Sequence, residues 1–326
     1  MLEVGLNPYG LSYTLGLQGQ GTARANPKAR GLEGFIEIAT ELGAKTLEIF
    51  EPWLARMADE ELAALRDRLR QLAMQPVISS GLQMGNIESC IRSADGLGAK
   101  IIRFALTPVL CGDRAALGEK WPELVADVRR KLGDYAPKAA AHGLTLVIEN
   151  HQDFTSRELV DFCDEFGENV GIVFDTGNAF PVAEAPLDFT RVIAAKVRHL
   201  HLKDYNVQFT DEGFRLVRCA IGDGAVPIAE MLAILAEHHK KLPAVLELAA
   251  LEARHVRLLT PDWWKGYAPK SAEALAACLK AARKNRLADD ADYRTPWERG
   301  DDAALEAYEL AMIRRSAANM RALGIM

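Results

Sequence analysis

LTLVIEN (144–150), GIVFDTGN (171–178) and KVRHLHLKD (196–204) are three short apolar runs that end in polar residues, with amphipathic stretches between them. Runs of this length bounded by turn signals read as buried strands, and the amphipathic periodicity between them reads as helix. The same unit recurs on both sides. LEVGL (2–6) opens the chain, KTLEIFE (45–51) follows a helix expected over 32–43, PVISSG (76–81) one over 58–73, and AKIIRFAL (99–106) one over 84–97. LTLVIEN itself follows a helix over 121–142, and PAVLEL (243–248) completes eight strands. Gly43 and Gly143 stand where helices should stop before the next strand. Eight βα units predict an α/β fold, a parallel sheet closed into a (β/α)8 TIM barrel. An open doubly wound sheet is the alternative, and no GxGxxG follows the first strand to favour it.

Two segments depart from a minimal barrel. YNVQFTDEGFRLVRCAIGDG (205–224) interrupts the seventh unit, and Asp211-Glu212-Gly213 reads as the turn of a hairpin. Within it, Gly222-Asp223-Gly224 reads as a tight turn, with an anion-binding helix start as the alternative. Beyond residue 286 the chain turns polar, then ends in an amphipathic helix over about 301–322. That helix is expected to cover the barrel's own exterior, or else a neighbouring protomer in a homo-oligomer. Residues 1–288 are therefore assigned to a catalytic barrel and 289–326 to a C-terminal helical extension.

Composition narrows the function classes. With 39 Lys and Arg against 45 Asp and Glu, the net charge of −6 argues against nucleic-acid binding. Five cysteines, odd in number and scattered, read as reduced thiols rather than a disulfide framework. No apolar run reaches membrane-spanning length, and no basic region followed by an apolar stretch opens the chain. A cytoplasmic protein with no membrane partner is expected.

In a (β/α)8 barrel the reactive side chains stand at the C-terminal ends of the strands. Glu149, Asp175, His201 and Glu247 end the last four, at spacings of 26, 26 and 46 residues. That is one βα unit, one unit, and one unit plus the insert, which predicts equivalent heights. Three carboxylates and an imidazole in one barrel mouth repel unless a positive charge sits between them. A divalent cation (Mn²⁺, Co²⁺, Zn²⁺ or Mg²⁺) suits such a set. Plainer alternatives stand beside this: each acid alone as a cap or surface ion pair, and His199 and His201 as core histidines. His201, nearer the rim, is the expected ligand, and His199, a layer deeper, a hydrogen-bonded core residue. His151 lies two residues past Glu149, shares its inward parity, and as a neutral imidazole is the candidate base. Its alternative is a loop histidine. Asn178, Lys203, Arg218, His255 and Trp53 are the expected substrate contacts, with loop packing the alternative for Trp53 and Arg218. Glu252, Arg254 and His255 either line the site or form a solvated ion-pair cluster.

VIENH, VFDTGN, HLHLKD and LELA, in this order, resemble the xylose-isomerase-like TIM barrels known as sugar phosphate isomerase/epimerases, over nearly the whole chain to about residue 285. The resemblance implies that Glu149, Asp175, His201 and Glu247 bind one divalent metal, often manganese, with Glu149 and Glu247 also taking part in the chemistry. It implies a small-molecule sugar, polyol or keto acid as substrate, deprotonated α to a carbonyl that the metal holds. Ketose 3-epimerases carry a second Glu where this chain has Thr155, an Arg where it has Val207, and a His where it has Asn178. IENHQDF, RLVRCAIGDGAVP and LEARHVRLLTPDWW look most like the catalytic α subunits of C-glycoside deglycosidases and related 3-keto-glycoside lyases. That resemblance implies a lyase in which His151 takes the C2 proton of a 3-oxo-glycoside and β-elimination expels the aglycone. It also implies a small β-rich partner subunit. The alternative is an isomerase or epimerase acting on a keto-sugar through an enediolate.

Overall fold

A computed structural model describes residues 2–326. In chain order the strands are β1 (Leu2–Leu6), β2 (Thr46–Phe50), β3 (Gln75–Gly81), β4 (Ile101–Ala105), β5 (Thr145–Glu149), β6 (Val170–Asp175) and β7 (Val197–Leu202). After them come β8 (Tyr205–Thr210), β9 (Gly213–Arg218), β10 (Leu242–Leu246) and β11 (Arg254–Val256). All but β8, β9 and β11 form a closed parallel barrel in the order β1-β10-β7-β6-β5-β4-β3-β2. Helices α1 (Gly31–Glu41), α2 (Glu51–Leu54), α3 (Asp59–Gln71), α4 (Ile87–Leu97), α5 (Lys120–Ala141), α6 (Ser156–Phe166), α7 (Pro186–Ile193), α8 (Ile228–Ala236) and α9 (Ala272–Ala282) surround it. The (β/α)8 architecture is thus the one expected. Its strands are buried on both faces, as in Leu146, Val147, Ile148 and Glu149, because helices cover the outside and side chains fill the inside.

The strand register shows how the four strand ends come to equivalent heights. Asp175 pairs directly with His201, but Glu149 pairs with Val173 and His201 with Val245. Along the hydrogen-bond ladder, Glu149 therefore sits two residues below Asp175, and Glu247 two above His201. Barrel strands tilt and stagger, so a level ring of side chains climbs the ladder from strand to strand. Equal spacing in sequence does not mean equal rungs. A bulge makes the ring close. Ile172 pairs with Val197 while Val173 pairs with His199, leaving Arg198 as the extra residue of β7. Without it, Asp175 would face Leu200 and both histidines would project outward. Gly171 makes room for the bulge, since a Cβ there would lie 2.4 Å from Arg198 Cγ.

The insert forms the expected hairpin, β8 against β9 around Asp211-Glu212, with β11 added as a third strand. The 222–224 turn folds around the chain's own anion. Asp204 Oδ2 accepts from the amides of Gly222 (3.0 Å) and Gly224 (2.9 Å), and Oδ1 from that of Val226 (3.0 Å).

In the extension, α10 (Pro296–Arg299) precedes α11 (Leu305–Ala322), which packs on this chain's own barrel through Ile313, Ala317 and Met320. Its Glu309 is fully buried and accepts from Tyr13 N (3.1 Å), Thr14 N (2.8 Å) and Thr14 Oγ1 (2.7 Å). Asn319 donates to Ile221 O (2.9 Å), and Trp297 Nε1 to Glu252 Oε1 (2.8 Å). The extension therefore ties down the loop after β1, the hairpin loop and the segment after β10, all at the barrel mouth. Glu309→Gln sets an amide N–H against one of those donors and is expected to cost about 1–3 kcal/mol. Calorimetry should show a Tm lowered by several degrees, and an unchanged Tm would contradict the assignment. Among the described residues, no helix is long and apolar enough to cross a membrane.

Candidate metal centre and active-site cavity

Glu149, Asp175, His201 and Glu247 converge, each offering one ligand atom, with those atoms within 4.8 Å of one another. All four side chains are buried. Glu149, His201 and Glu247 each have one atom engaged by the protein, and Asp175 has both oxygens engaged. Glu149 Oε2 takes Arg103. His201 Nε2 meets Glu48 Oε2 at 2.6 Å, and Glu247 Oε1 takes Lys203 Nζ at 2.7 Å. Asp175 Oδ2 accepts from Lys203 Nζ (2.5 Å) and Asn178 Nδ2 (2.8 Å), and Oδ1 from Gly177 N (3.0 Å). The remaining atoms of three of them, Glu149 Oε1, His201 Nδ1 and Glu247 Oε2, are buried without a hydrogen-bond partner. His201 Nδ1 stands 2.7 Å from Glu247 Oε2 and 3.4 Å from Glu149 Oε1, but out of hydrogen-bond geometry. Buried polar atoms are rarely left orphaned, and these three point at one another. This donor set fits a divalent cation.

Electrostatics agrees with that fit. Burial alone would lower the His201 pKa, but Glu48 and Glu247 outweigh it and raise it to about 9. Burial likewise opposes ionisation of Glu247, yet Lys203 and His201 hold its carboxyl far below the usual carboxylate range. Glu247 is thus charged and a proton on His201 offsets it, whereas burial raises the Asp175 pKa against the opposing pull of Lys203 and His201. A metal ion has to displace that proton.

A deeper layer supports the cluster. Glu48 on β2 is fully buried and bridges His199 Nε2 (2.9 Å) and His201 Nε2, while Asn7 Nδ2 donates to its other oxygen (2.9 Å). Burial works against its ionisation, but the two imidazoles bring its pKa well below the ordinary value. A carboxylate behind a ligating histidine fixes ring orientation and tautomer. Glu48→Gln is expected to weaken metal binding by about 10–100-fold. Titration of the metal-free protein with Mn²⁺ measures this, and an unchanged affinity would remove Glu48 from the support of His201.

Above the cluster opens a cavity of about 630 Å³ whose walls include Tyr9, Arg103, His151, Lys203, Tyr205 and Glu247. His151 is half-buried and its Nδ1 has no partner. Burial first, then Arg103 and Lys203, push its pKa down to about 3, so the imidazole is neutral. Another hollow, about 690 Å³, lies among Asp59, Arg92 and His142 on the outer helices, far from these groups.

Residues 36–278 match the xylose isomerase-like TIM barrel family. The chain belongs to that family. The protein YihM of Escherichia coli (strain K12), whose function is uncharacterized, is 29% identical over 181 residues, 55% of this chain and 53% of YihM. The chain thus spans about half the length of that relative. A 3-oxo-isoapionate decarboxylase of Pectobacterium atrosepticum is 22% identical over 226 residues, 68% of this chain and 78% of the enzyme. A crystal structure of a xylose isomerase-like TIM barrel protein from Mycobacterium smegmatis in complex with magnesium shares the fold, with a TM-score of 0.52 at 16% identity, covering 84% of this chain and 87% of that one.

In this xylose isomerase-like barrel, two expected substrate contacts, Asn178 and Lys203, join the cluster, and Lys203 also lines the cavity. Three others lie elsewhere. Arg218 is buried at the hairpin's end, where its guanidinium donates to Ala249 O (2.5 Å) and Gly10 O (2.7 Å). It is a clamp between loops, because Nη1 and Nη2 each serve a carbonyl and Nε donates to Met312 Sδ (3.4 Å). His255 faces away on β11, with Nε2 3.0 Å from Thr210 Oγ1. Trp53 packs behind Phe50, ring centroids 5.9 Å apart, and Phe50 is the one that lines the cavity. Glu48 and Arg103 were missed. Their signal was a lone charge within each of LEIF (47–50) and IIRFAL (101–106), runs otherwise apolar.

Proposed function

We propose that this protein is a metal-dependent lyase of 3-oxo-glycosides, of the C-glycoside deglycosidase kind, in which His151 is the base. One observation carries the reading: a neutral imidazole with an unpartnered ring nitrogen faces the cavity beside an incompletely satisfied four-ligand cluster. Glu149, Asp175, His201 and Glu247 would hold the cation, whose chemistry is to polarise the 3-keto group as a Lewis acid.

His151 takes the proton from C2, and the C2–H bonding pair moves to form the enolate of the C3 ketone. Negative charge arriving beside the ring raises its affinity for that proton. As the ketone re-forms, the pair becomes the C1–C2 double bond and the aglycone leaves C1 with its own bonding pair. The imidazolium returns the proton to the departing atom. Arg103 and Lys203 place positive charge along the cavity wall as the enolate develops.

Elimination suits one base better than epimerisation does, since inverting a carbon takes a proton off one face and returns one to the other. The positions that supply further polar groups in the ketose 3-epimerases are structural here. Thr155 caps α6 in a reciprocal pair with Glu158, and Val207 is fully buried in the hairpin. Asn178 is spent on Asp175. The relative named a 3-oxo-isoapionate decarboxylase lends support, its name placing a 3-oxo substrate in a similar chain. The test is release of 4-nitrophenol from 4-nitrophenyl 3-oxo-β-D-glucoside, and of the aglycone from a C-linked 3-oxo-glucoside, by Mn²⁺-loaded protein. Release of either is expected. No release of either, with the metal in place, would end the lyase reading, and proton exchange at C2 without release would point to the isomerase.

A further inference from the structure

The hairpin sheet delivers one charged side chain into the cavity. β11 pairs antiparallel with β9, Arg254 opposite Leu216 and Val256 opposite Phe214. Leu216, Phe214 and Val256 are buried, and strand alternation puts Arg254 on their face, with His255 on the other. Arg254 is half-buried and lines the cavity with His151, Gln152, Tyr205 and Leu110. A guanidinium in a row of apolar side chains costs desolvation without return unless something pairs with it.

Nothing among the described residues does. Among the described residues, Arg254 has no ion pair and no side-chain hydrogen bond, whereas its polar neighbours are engaged. Glu252 accepts from Trp297, His255 meets Thr210, and Arg257 pairs with Asp113 at 2.8 Å. The cluster cannot supply the missing anion either. Its buried acids, Glu48, Glu149, Asp175 and Glu247, already face Arg103, Lys203 and the two histidines, and the divalent cation they would hold would complete that balance. Arg254 stands outside that balance as an uncompensated positive charge facing the substrate space.

We propose that Arg254 is an anion-recognition residue and that the substrate of this site carries a carboxylate. The planar guanidinium fork matches the two oxygens of a carboxylate, and a half-buried cavity strengthens the pair relative to open water. The inference deepens the keto-sugar reading and rests on it for where the rest of the substrate sits.

Two matched pairs of probes, used with the Mn²⁺-loaded full chain, locate the carboxylate and test Arg254. Calorimetric binding of D-glucuronate against D-glucose asks for it on the sugar. Aglycone release from 4-carboxyphenyl against phenyl 3-oxo-β-D-glucoside asks for it on the leaving group. Wild type is expected to favour the charged member of at least one pair by about tenfold or more, a margin that shrinks as salt rises. Arg254→Gln should collapse that ratio towards one, and Arg254→Lys should keep part of it, which also covers the case of a glutamine variant that fails to fold. No preference in either pair, or a preference that survives in Arg254→Gln, overturns the proposal. If neither glucoside is turned over, the lyase reading falls, while the glucuronate and glucose titrations still decide the role of Arg254.

Discussion

Replacing His151 by alanine is expected to reduce kcat for aglycone release by roughly 10²–10⁴-fold while the protein keeps its metal. The separation of the two readouts follows from the geometry. His151 contributes no atom to the convergent four-residue cluster, whose members are held by Arg103, Glu48, Lys203 and Asn178. The backbone that carries it is held by other means. Gln152 adopts a left-handed conformation (φ 71°), accepts from Gly112 N through its carbonyl (2.9 Å) and from Cys111 N through its side chain (2.9 Å). A non-glycine residue at positive φ costs about 1–3 kcal/mol, and these two bonds hold it there. The loop will therefore persist when the imidazole is removed. Turnover measured beside metal content decides the case. A variant within a few-fold of wild type would show that another group takes the proton, and loss of metal would mean that His151 belongs to the ligand set.

The barrel was legible because its signal is local and repeated: eight apolar runs of strand length, each punctuated by a turn and a helix. The four converging residues were legible for a related reason, since a barrel collects strand ends and their side chains can be looked up one unit at a time. Pairings between distant strands were not. Glu48 meets His199 and His201 across 151 and 153 residues, and no pattern near KTLEIF says which inward side chain faces it. Arg103 was hidden in the same way. The bulge at Arg198 decides whether His201 points in or out, yet its only local trace is the small residue at Gly171 on the neighbouring strand. Arg218 and Arg254 show the limit from the other side. Both are arginines in or beside the insert; one is consumed by backbone carbonyls and the other faces the cavity unpaired. Only the position of the third strand, β11, separates them.

Glu149→Gln is expected to empty the metal site, lowering bound metal by about a hundredfold in affinity, the upper end of what removal of a supporting group costs and a minimum for a ligand. The substitution keeps the shape of the side chain, so the effect is one of charge and donor placement. Glu149 uses Oε2 for Arg103 and leaves Oε1 free towards His201 and Glu247. A glutamine has one oxygen for two jobs. If it faces Arg103, its NH₂ points at the ligand position, where it has no lone pair to give. If it faces the ligand position, the NH₂ meets the Arg103 guanidinium, donor against donor, in a buried layer. Either orientation also removes one of the negative charges that offset the cation. Metal analysis after dialysis against chelator-free buffer tests this directly, with thermal unfolding at increasing Mn²⁺ as a second readout. Wild type should gain Tm with metal as a ligand that binds only the folded state does, and the variant should gain little over the same range. Full metal occupancy in Glu149→Gln would take Glu149 out of the ligand set and leave its orphaned oxygen unexplained.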